Sequence, residues 1–351
     1  MRRRLFLATL LIAAGVGRPP ATAQVRTADP GRRGLKETDF PRTVKVADNV
    51  YTYEDFHAGT EKFTTTNMFV VTDEGVLVAD GQGDLVTTKG LVDAIAKITS
   101  KPIKYVVVCS EHGDHTGGNA SFPGGVTYII HPTSKAALDR SAHVGQAQGT
   151  PSPSRGEGSR SSRAADASRG SGSAEPTRAG GAGGRGGAWE LPSNAILVSD
   201  KQSFTLGAET FEVRFLGRAH TGGDLSVWLP RRKILFLSEI FLNRVFPAMR
   251  SAYPTEWLGA LDRAEAMNAD VYIPGHGFTE NGPVSREELV NYRNAMRAVI
   301  AEARRLHDAG VTADEAIMRA NFGEYASWTL ARSQAPIAIR RVYEELDGRL
   351  K

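Results

Sequence analysis

The sequence predicts an α/β fold, in which strands and helices stack in layers. Three observations lead to this prediction. Several strand-like runs follow one another near the start, single strands alternate with amphipathic helices after them, and a second group of strands precedes a helical tail. Hydrophobic residues make up 41% of the 351 residues, which is enough for a substantial core.

The first half of the predicted fold begins near Val44. Runs rich in β-branched and aromatic residues, separated by glycine-containing turns, predict an antiparallel meander over residues 44–80. Apolar residues at helical spacing predict a helix over 85–99. The following elements are a buried strand over 103–109, a strand over 126–130 and a helix capped by Thr133.

The second half returns to strands after a change in composition. Residues 144–190 are dominated by Gly, Ser, Arg, Ala and Pro, so we expect a disordered insertion between two halves of one domain. Further predicted elements are strands at 195–198, 225–229, 233–237 and 271–273, a hairpin turning at Gly207-Ala208, and a helix capped by Thr255. Capping boxes at Ser285/Glu288 and Thr312/Glu315 predict helices in the tail, over 283–351.

The N-terminal residues have the pattern of a secretory signal peptide. Residues 1–23 combine a basic start, a short apolar stretch and a small-residue cleavage site. Export through the Sec or the twin-arginine route would bring the protein to the periplasm or the exterior. We expect residues 24–43 to form a mobile arm.

Composition narrows the classes of partner. Removing residues 1–23 removes four arginines and no acid, so the formal charge of +4 falls to zero. A neutral chain gives no reason to expect nucleic acid as a partner, and no segment suits a stable membrane anchor. We expect a small-molecule substrate, and the sequence does not define the oligomeric state. The single cysteine, Cys109, lies in a buried strand and is expected to be inert core.

A cluster of metal-ligating residue types follows the strand over 103–109. The stretch SEHGDHTGG places His112, Asp114 and His115 within four positions, and zinc readily binds this mixture of nitrogen and oxygen ligands. The alternative without a metal is that these residues form a hydrogen-bonded turn. Such a turn would not explain why similar residues also follow three later strands. Those residues are His220 in GRAHTGGD, Glu239 in ILFLSE and His276 in YIPGHG.

Taken in order, SEHGDHTGGN, GRAHTGGD, ILFLSE and YIPGHG resemble the motifs of the metallo-β-lactamase superfamily. The resemblance covers residues 44–277. It implies a four-layer αββα sandwich over 44–282, followed by the extra C-terminal helices. It also implies a hydrolase with one or two zinc ions per chain. The first zinc site would use His112, His220 and the position of Ser110. The second would use Asp114, His115 and His276, with Asp80 behind a ligand imidazole.

Two positions depart from the family pattern. Ser110 stands where the family has its first histidine, and a neutral hydroxyl is a poor zinc ligand. Glu239 stands where related enzymes have a bridging aspartate. We therefore expect the longer side chain of Glu239 to reach into the first site and partly replace the missing imidazole.

The predicted activity is attack of a metal-activated water on a carbonyl, with Asp114 orienting the water. β-Lactam, lactone and thioester substrates all stay open. One alternative is a weakly active or inactive zinc-binding module, and another is an iron oxidoreductase. His57 and Arg244 are candidates for substrate contact, although a salt bridge is the commoner role for an arginine such as Arg244. Asp224 is expected to hydrogen-bond within its own loop.

Overall fold

Two β-sheets lie face to face in the computed structural model, which describes residues 25–57, 62–148 and 189–350. The seven-stranded sheet has the spatial order β1 to β7, antiparallel from β1 to β4 and parallel from β4 to β7. Its strands are β1 Arg42–Ala47, β2 Val50–Phe56, β3 Thr64–Val71, β4 Val76–Ala79, β5 Ile103–Val108, β6 Thr127–Ile130 and β7 Ile196–Leu197.

The five-stranded sheet has the order β12-β11-β10-β9-β8, with a single parallel pair between β11 and β12 in this described sheet. Its strands are β8 Lys201–Leu206, β9 Glu209–Phe215, β10 Leu225–Leu229, β11 Ile234–Phe236 and β12 Val271–Ile273. The helices are α1 Leu85–Ile98, α2 Gly113–Thr116, α3 Pro132–Gln148, α4 Pro254–Ala266, α5 Gly282–Asp308, α6 Ala313–Arg319 and α7 Ala331–Leu346. No helix in the described part of the chain is both long and apolar enough to span a membrane.

Apolar side chains define the four layers. Strand β5 shows why, because successive strand residues face opposite sides: Val107 packs between the sheets, whereas Val106 and Val108 face helix α1. On the far side of the five-stranded sheet, α4, α5 and α7 cover a third apolar cluster that includes Trp257 and Tyr292. The order helix, sheet, sheet, helix is the αββα architecture that the sequence predicts.

Several predicted helix starts are wrong by a few residues. Helix α3 begins at Pro132, and His131 Nδ1 accepts from the Thr133 amide, so His131 acts as the cap. Helix α4 begins at Pro254 rather than after Thr255. Ser285 lies inside α5, which begins at Gly282, and its hydroxyl oxygen accepts from the Tyr272 amide of β12. The capping box of Thr312 and Glu315 is confirmed.

The segment 25–41 packs against the fold, which differs from the mobile arm that the sequence predicts. Ala28 is completely buried, and the Arg33 guanidinium pairs with Glu280 while lying 4.2 Å from the centre of the Phe278 ring. Phe278 follows His276 by two residues, so this segment supports the end of a predicted ligand loop. The predicted signal peptide lies outside the described residues. Most of the predicted insertion does so as well, although α3 continues to Gln148.

A buried ion pair close to this segment gives a first test. The Glu54 side chain is fully buried, accepts from Arg42 Nε at 2.6 Å and accepts from the Thr279 amide at 3.1 Å. We expect Arg42→Met to lower the free energy of unfolding by about 2–3 kcal/mol, because it leaves a buried carboxylate without its cation. Urea unfolding measures this loss.

The matched control is the double variant Arg42→Met/Glu54→Gln, in which the neutral amide still accepts from Thr279. It should recover most of the lost stability. An Arg42→Met protein as stable as the wild type would show that this ion pair contributes nothing to the fold.

Candidate metal centre

The candidate ligands all follow the carboxyl ends of strands at one edge of the sandwich. The loop after β5 and the short helix α2 carry His112, Asp114 and His115. The other three come from the five-stranded sheet: His220 after β9, Glu239 after β11 and His276 after β12. Chain connectivity therefore brings both sheets to one set of imidazoles and carboxylates.

Four of these residues form one compact group, which we call the four-residue group: Asp114, His115, Glu239 and His276. His276 Nε2 lies 3.1 Å from Asp114 Oδ2 and 3.3 Å from His115 Nε2. His115 Nε2 lies 3.5 Å from Asp114 Oδ2, and Glu239 Oε1 lies 3.4 and 3.7 Å from the nitrogens of His276 and His115. A tetrahedral zinc ion with bonds of about 2.0–2.2 Å needs ligand atoms about 3.3–3.6 Å apart, so the spacing fits zinc.

The protonation of the two histidines in this group also fits a cation. His276 Nδ1 donates to the carbonyl oxygen of Thr64 at 3.0 Å, which leaves a lone pair on Nε2 of the neutral ring. His115 Nδ1 lies 3.2 Å from Asp80 Oδ2, although without hydrogen-bond alignment, and this carboxylate favours the same tautomer. With both rings neutral, as metal binding requires, two nitrogen lone pairs would face each other beside two carboxylate oxygens, which is an arrangement that a metal ion would stabilise.

A second cluster, the three-residue group, consists of His112, His220 and the same Glu239. Glu239 Oε2 lies 3.1 Å from His112 Nδ1 and 2.7 Å from His220 Nδ1. The two imidazole rings meet edge to face, with their centres 4.7 Å apart. The two oxygens of Glu239 are thus divided between the two groups.

Ser110 explains part of this arrangement. Its hydroxyl is completely buried and donates to Glu239 Oε2 at 2.6 Å. Ser110 therefore contacts the three-residue group through Glu239. The Glu239 carboxylate itself occupies the space beside His112 and His220.

The surrounding contacts fix the ligands from behind. Asp80 Oδ1 accepts from the Cys109 amide at 2.7 Å, and Asp80 Oδ2 accepts from the Ser238 hydroxyl at 2.5 Å. Asp80 thereby joins the strand that leads to Ser110 with the residue that precedes Glu239. Trp257 of α4 packs edge to face against His220, with ring centres 5.3 Å apart.

His57 and Arg244 have different positions from each other. His57 Nε2 lies 3.3 Å from Asp114 Oδ2, and its ring stacks on Phe63. His57 therefore contacts a candidate ligand directly and lies closer to the site than the sequence indicates. The Arg244 guanidinium donates to both oxygens of Glu288, at 2.5 and 2.8 Å, and lies 5.4 Å from the centre of the Trp328 ring. Arg244 therefore forms the ordinary salt bridge that the sequence offers as the alternative to substrate contact.

Comparison with known families agrees with this geometry. The family model described as the metallo-beta-lactamase superfamily matches residues 62–276, which include every candidate ligand. The chain belongs to the metallo-beta-lactamase superfamily.

Similar proteins within this superfamily include two kinds of hydrolase. Metallo-beta-lactamase IND-1 of Chryseobacterium indologenes is 21% identical over 80% of this chain and 92% of its own length. The linear primary-alkylsulfatase of a Pseudomonas species is 25% identical over 70% of this chain. With such relatives, the chain is a metal-dependent hydrolase of this superfamily.

Solved structures show the same fold. A metallo-beta-lactamase from Pontibacter korlensis covers 72% of this chain and 98% of its own, with 17% identity and a TM-score of 0.53. The sec-alkylsulfatase Pisa1 from a Pseudomonas species covers 86% of this chain, with 18% identity and a TM-score of 0.60. The chain spans about half the length of the alkylsulfatases that it matches, at 47% and 50%.

A polar network joins the two histidine loops of this superfamily member. Asp224 Oδ2 accepts from the Thr221 amide at 2.6 Å, and Asp224 Oδ1 lies 2.7 Å from the Thr221 hydroxyl, as expected for a bond within its own loop. Glu111, which the sequence analysis does not place among the site residues, accepts from Ser134 at 2.7 Å and from the Thr221 hydroxyl at 3.0 Å. Its adjacency to His112 is the signal that sequence analysis missed.

Electrostatics show why the centre requires positive charge. Burial opposes ionisation of Glu239, but the neighbouring His220 and His112 outweigh it and hold the pKa of this carboxyl well below its usual range. Burial also lowers the pKa of His276, yet Asp114 and Glu239 outweigh it and raise that pKa to about 10. The buried carboxylates thus keep positive charge close to them, and a metal ion would supply that charge more directly than protonated histidines.

Asp224 gives a pH test of the network. Burial raises the pKa of Asp224 to about 8, with the nearby Glu111 adding to the effect. At pH values between the pKa of Asp224 in the unfolded chain and its pKa in the folded chain, folding takes up a proton. The stability that the protonated Asp224 contributes is therefore lost as the pH rises toward 8. We expect the wild type to lose stability relative to Asp224→Asn between pH 5 and 8, by at most about 1.4 kcal/mol per pH unit. Urea unfolding of the metal-free proteins across this range measures it. Parallel pH profiles of the two proteins would contradict a protonated Asp224.

Proposed function

We propose that this protein is an exported zinc-dependent hydrolase that binds two ions and uses a metal-activated water against a carbonyl substrate. The observation that carries the proposal is the division of Glu239 between two groups, with Oε1 at the four-residue group and Oε2 at the three-residue group. The N-terminal signal pattern supports export.

The two groups differ in how many ligands the protein provides. Four protein ligands would complete the tetrahedral shell of zinc at the four-residue group, as in closed sites. The three-residue group would leave a fourth position for water or substrate, which is the pattern of catalytic zinc sites. This asymmetry supports the proposal that the ion polarising the substrate would lie with His112 and His220.

A zinc ion at such a site would supply a Lewis acid and a water that is nucleophilic near neutral pH. By the superfamily resemblance, Asp114 would hold the ion of the four-residue group and orient that water, and its side chain is 17% exposed while it contacts His276 and His57. The 29% exposure of the His112 side chain marks the open face from which substrate would approach. Asp80 and Thr64 would hold the imidazoles of His115 and His276 in place.

Two features favour this proposal over an inactive one-zinc module. The carboxylate of Glu239 gives the three-residue group a charged ligand despite the absence of a histidine at Ser110. The Ser110 hydroxyl then orients Glu239 instead of binding metal weakly. The imidazole and carboxylate donors also suit zinc. An iron ion in the place of zinc would bind the same residues.

The alkylsulfatase relatives suggest sulfate esters as a second substrate class, beside the carbonyl substrates, which are β-lactams, lactones and thioesters. The alkylsulfatase Pisa1 covers 86% of this chain, against 72% for the β-lactamase from Pontibacter korlensis. The family model ends at residue 276, so it does not include the C-terminal helices, of which α5 begins at Gly282. The greater coverage justifies including alkyl sulfates in any substrate panel.

Metal content tests the shared carboxylate. We expect the purified wild type to bind two zinc ions per chain under saturating zinc, and Glu239→Ala to bind one or none, because both groups lose a ligand. Glu302→Ala removes a helix α5 carboxylate that pairs with Arg305 and serves as the matched control, with wild-type stoichiometry expected. Elemental analysis after gel filtration measures all three. A single zinc in the wild type, or two in Glu239→Ala, would exclude the shared ligand.

Hydrolysis of the substrate panel tests Asp114. We expect Asp114→Asn to abolish turnover of whichever β-lactam, lactone, thioester or alkyl sulfate the wild type hydrolyses, with the fold retained, because a neutral amide neither binds zinc well nor orients water. Initial rates and a circular dichroism melt provide the two readouts. Substantial turnover by a folded Asp114→Asn protein would remove Asp114 from the mechanism.

A further inference from the structure

Glu111 connects three separate elements beside the proposed active site. It lies in the loop after β5, and its Oε2 atom accepts from Ser134 Oγ in the first turn of α3 at 2.7 Å. The same oxygen accepts from Thr221 Oγ1 in the loop after β9 at 3.0 Å. Ser134 Oγ also lies 3.0 Å from the Gly223 carbonyl oxygen, so helix α3 contacts the β9 loop at a second point.

The place of this contact matters because the three-residue group is split between the two sheets. His112 follows a strand of the seven-stranded sheet, and His220 follows a strand of the five-stranded sheet. Glu111 immediately precedes His112, and Thr221 immediately follows His220. The contact therefore joins the neighbours of the two imidazoles, across the boundary that separates them.

The backbone contact between the two loops lies at the strand ends and leaves the spacing of His112 and His220 to side-chain contacts. The Leu225 amide donates to the Cys109 carbonyl oxygen at 2.8 Å and ties the two loops together at the strand ends. Beyond that bond, Thr221 is additionally held by Asp224 of its own loop. Glu111 thus links Thr221, which Asp224 holds, to the loop that carries His112.

We propose that Glu111 is a positioning residue that sets the spacing of His112 and His220, and thereby the metal affinity of the three-residue group. This inference rests on the proposed two-ion function. It assigns to Glu111 the role of a hydrogen-bond acceptor for two hydroxyl groups, and contact with neither metal nor substrate.

The acceptor role separates two substitutions. Glutamine keeps a side-chain oxygen that can accept from both Ser134 and Thr221. Alanine removes it, so that Ser134 keeps only the Gly223 carbonyl oxygen and Thr221 keeps only Asp224 of its own loop, and the link to the loop of His112 is lost. Glu111→Gln should therefore preserve the spacing and Glu111→Ala should not. Ser134→Ala removes one of the two donors and should have an intermediate effect.

The test is zinc binding by the metal-free full chain, in competition with a chromophoric chelator. We expect Glu111→Ala to weaken one of the two binding steps about 10–100-fold and leave the other unchanged, which is the usual range for losing a residue that orients ligands. Glu111→Gln should stay within a few-fold of the wild type in both steps. Wild-type binding by Glu111→Ala would overturn the proposal. An equally large loss in Glu111→Gln would also do so, because it would assign the effect to charge.

A second measurement separates this proposal from the two-ion function. If the wild type binds fewer than two zinc ions, the proposed function fails, and the role of Glu111 is then decided by amide hydrogen exchange in the metal-free protein. Glu111→Ala should speed exchange in residues 217–224 and leave α5 unchanged. Unaltered exchange in residues 217–224 would overturn the positioning role by itself.

Discussion

The position of one carboxylate, Glu239, determines how the rest of the site is arranged. Its Oε1 atom faces His276 and His115, and its Oε2 atom faces His220, His112 and the Ser110 hydroxyl. A side chain can divide its oxygens in this way only if the backbone below it is fixed. Ser238 provides that fixation, because its hydroxyl donates to the fully buried Asp80.

The fold supplies the edge at which these contacts meet. Neither sheet holds a complete group, since Asp114 and His115 come from one sheet and Glu239 and His276 from the other. The apolar layer between the sheets, which includes Val107 and Phe236, therefore sets the distance between the halves of each group. Polar cross-links at the edge then adjust it, through Ser110 to Glu239, Ser238 to Asp80 and Glu111 to Thr221. Buried charge is tolerated there because opposite charges and hydrogen bonds surround it.

The sequence contains most of this architecture in local patterns. Alternating strands and helices predict a layered α/β fold, and the resemblance of the motif loops implies the αββα layers. The six candidate ligands on four loops converge as the strand-end rule leads one to expect. Helix starts are less well predicted: α5 begins at Gly282, ahead of Ser285, whose hydroxyl accepts from the Tyr272 amide of β12 and donates to the Gly282 carbonyl oxygen. The docking of residues 25–41 depends on Arg33 meeting Glu280 and Phe278, which are about 250 positions away in the sequence. Contacts such as His57 with Asp114 and Glu111 with Thr221 are equally non-local, so residue types alone do not reveal them.

The most direct test of the shared carboxylate is a crystal structure of the zinc-loaded protein with anomalous diffraction recorded at the zinc edge. Our account predicts two zinc peaks about 3.5–4 Å apart, one beside His115 and His276 and one beside His112 and His220, with the two oxygens of Glu239 each bound to a different ion. A single peak at the four-residue group, with Glu239 Oε2 still held by Ser110 and the imidazoles of His112 and His220, would contradict it.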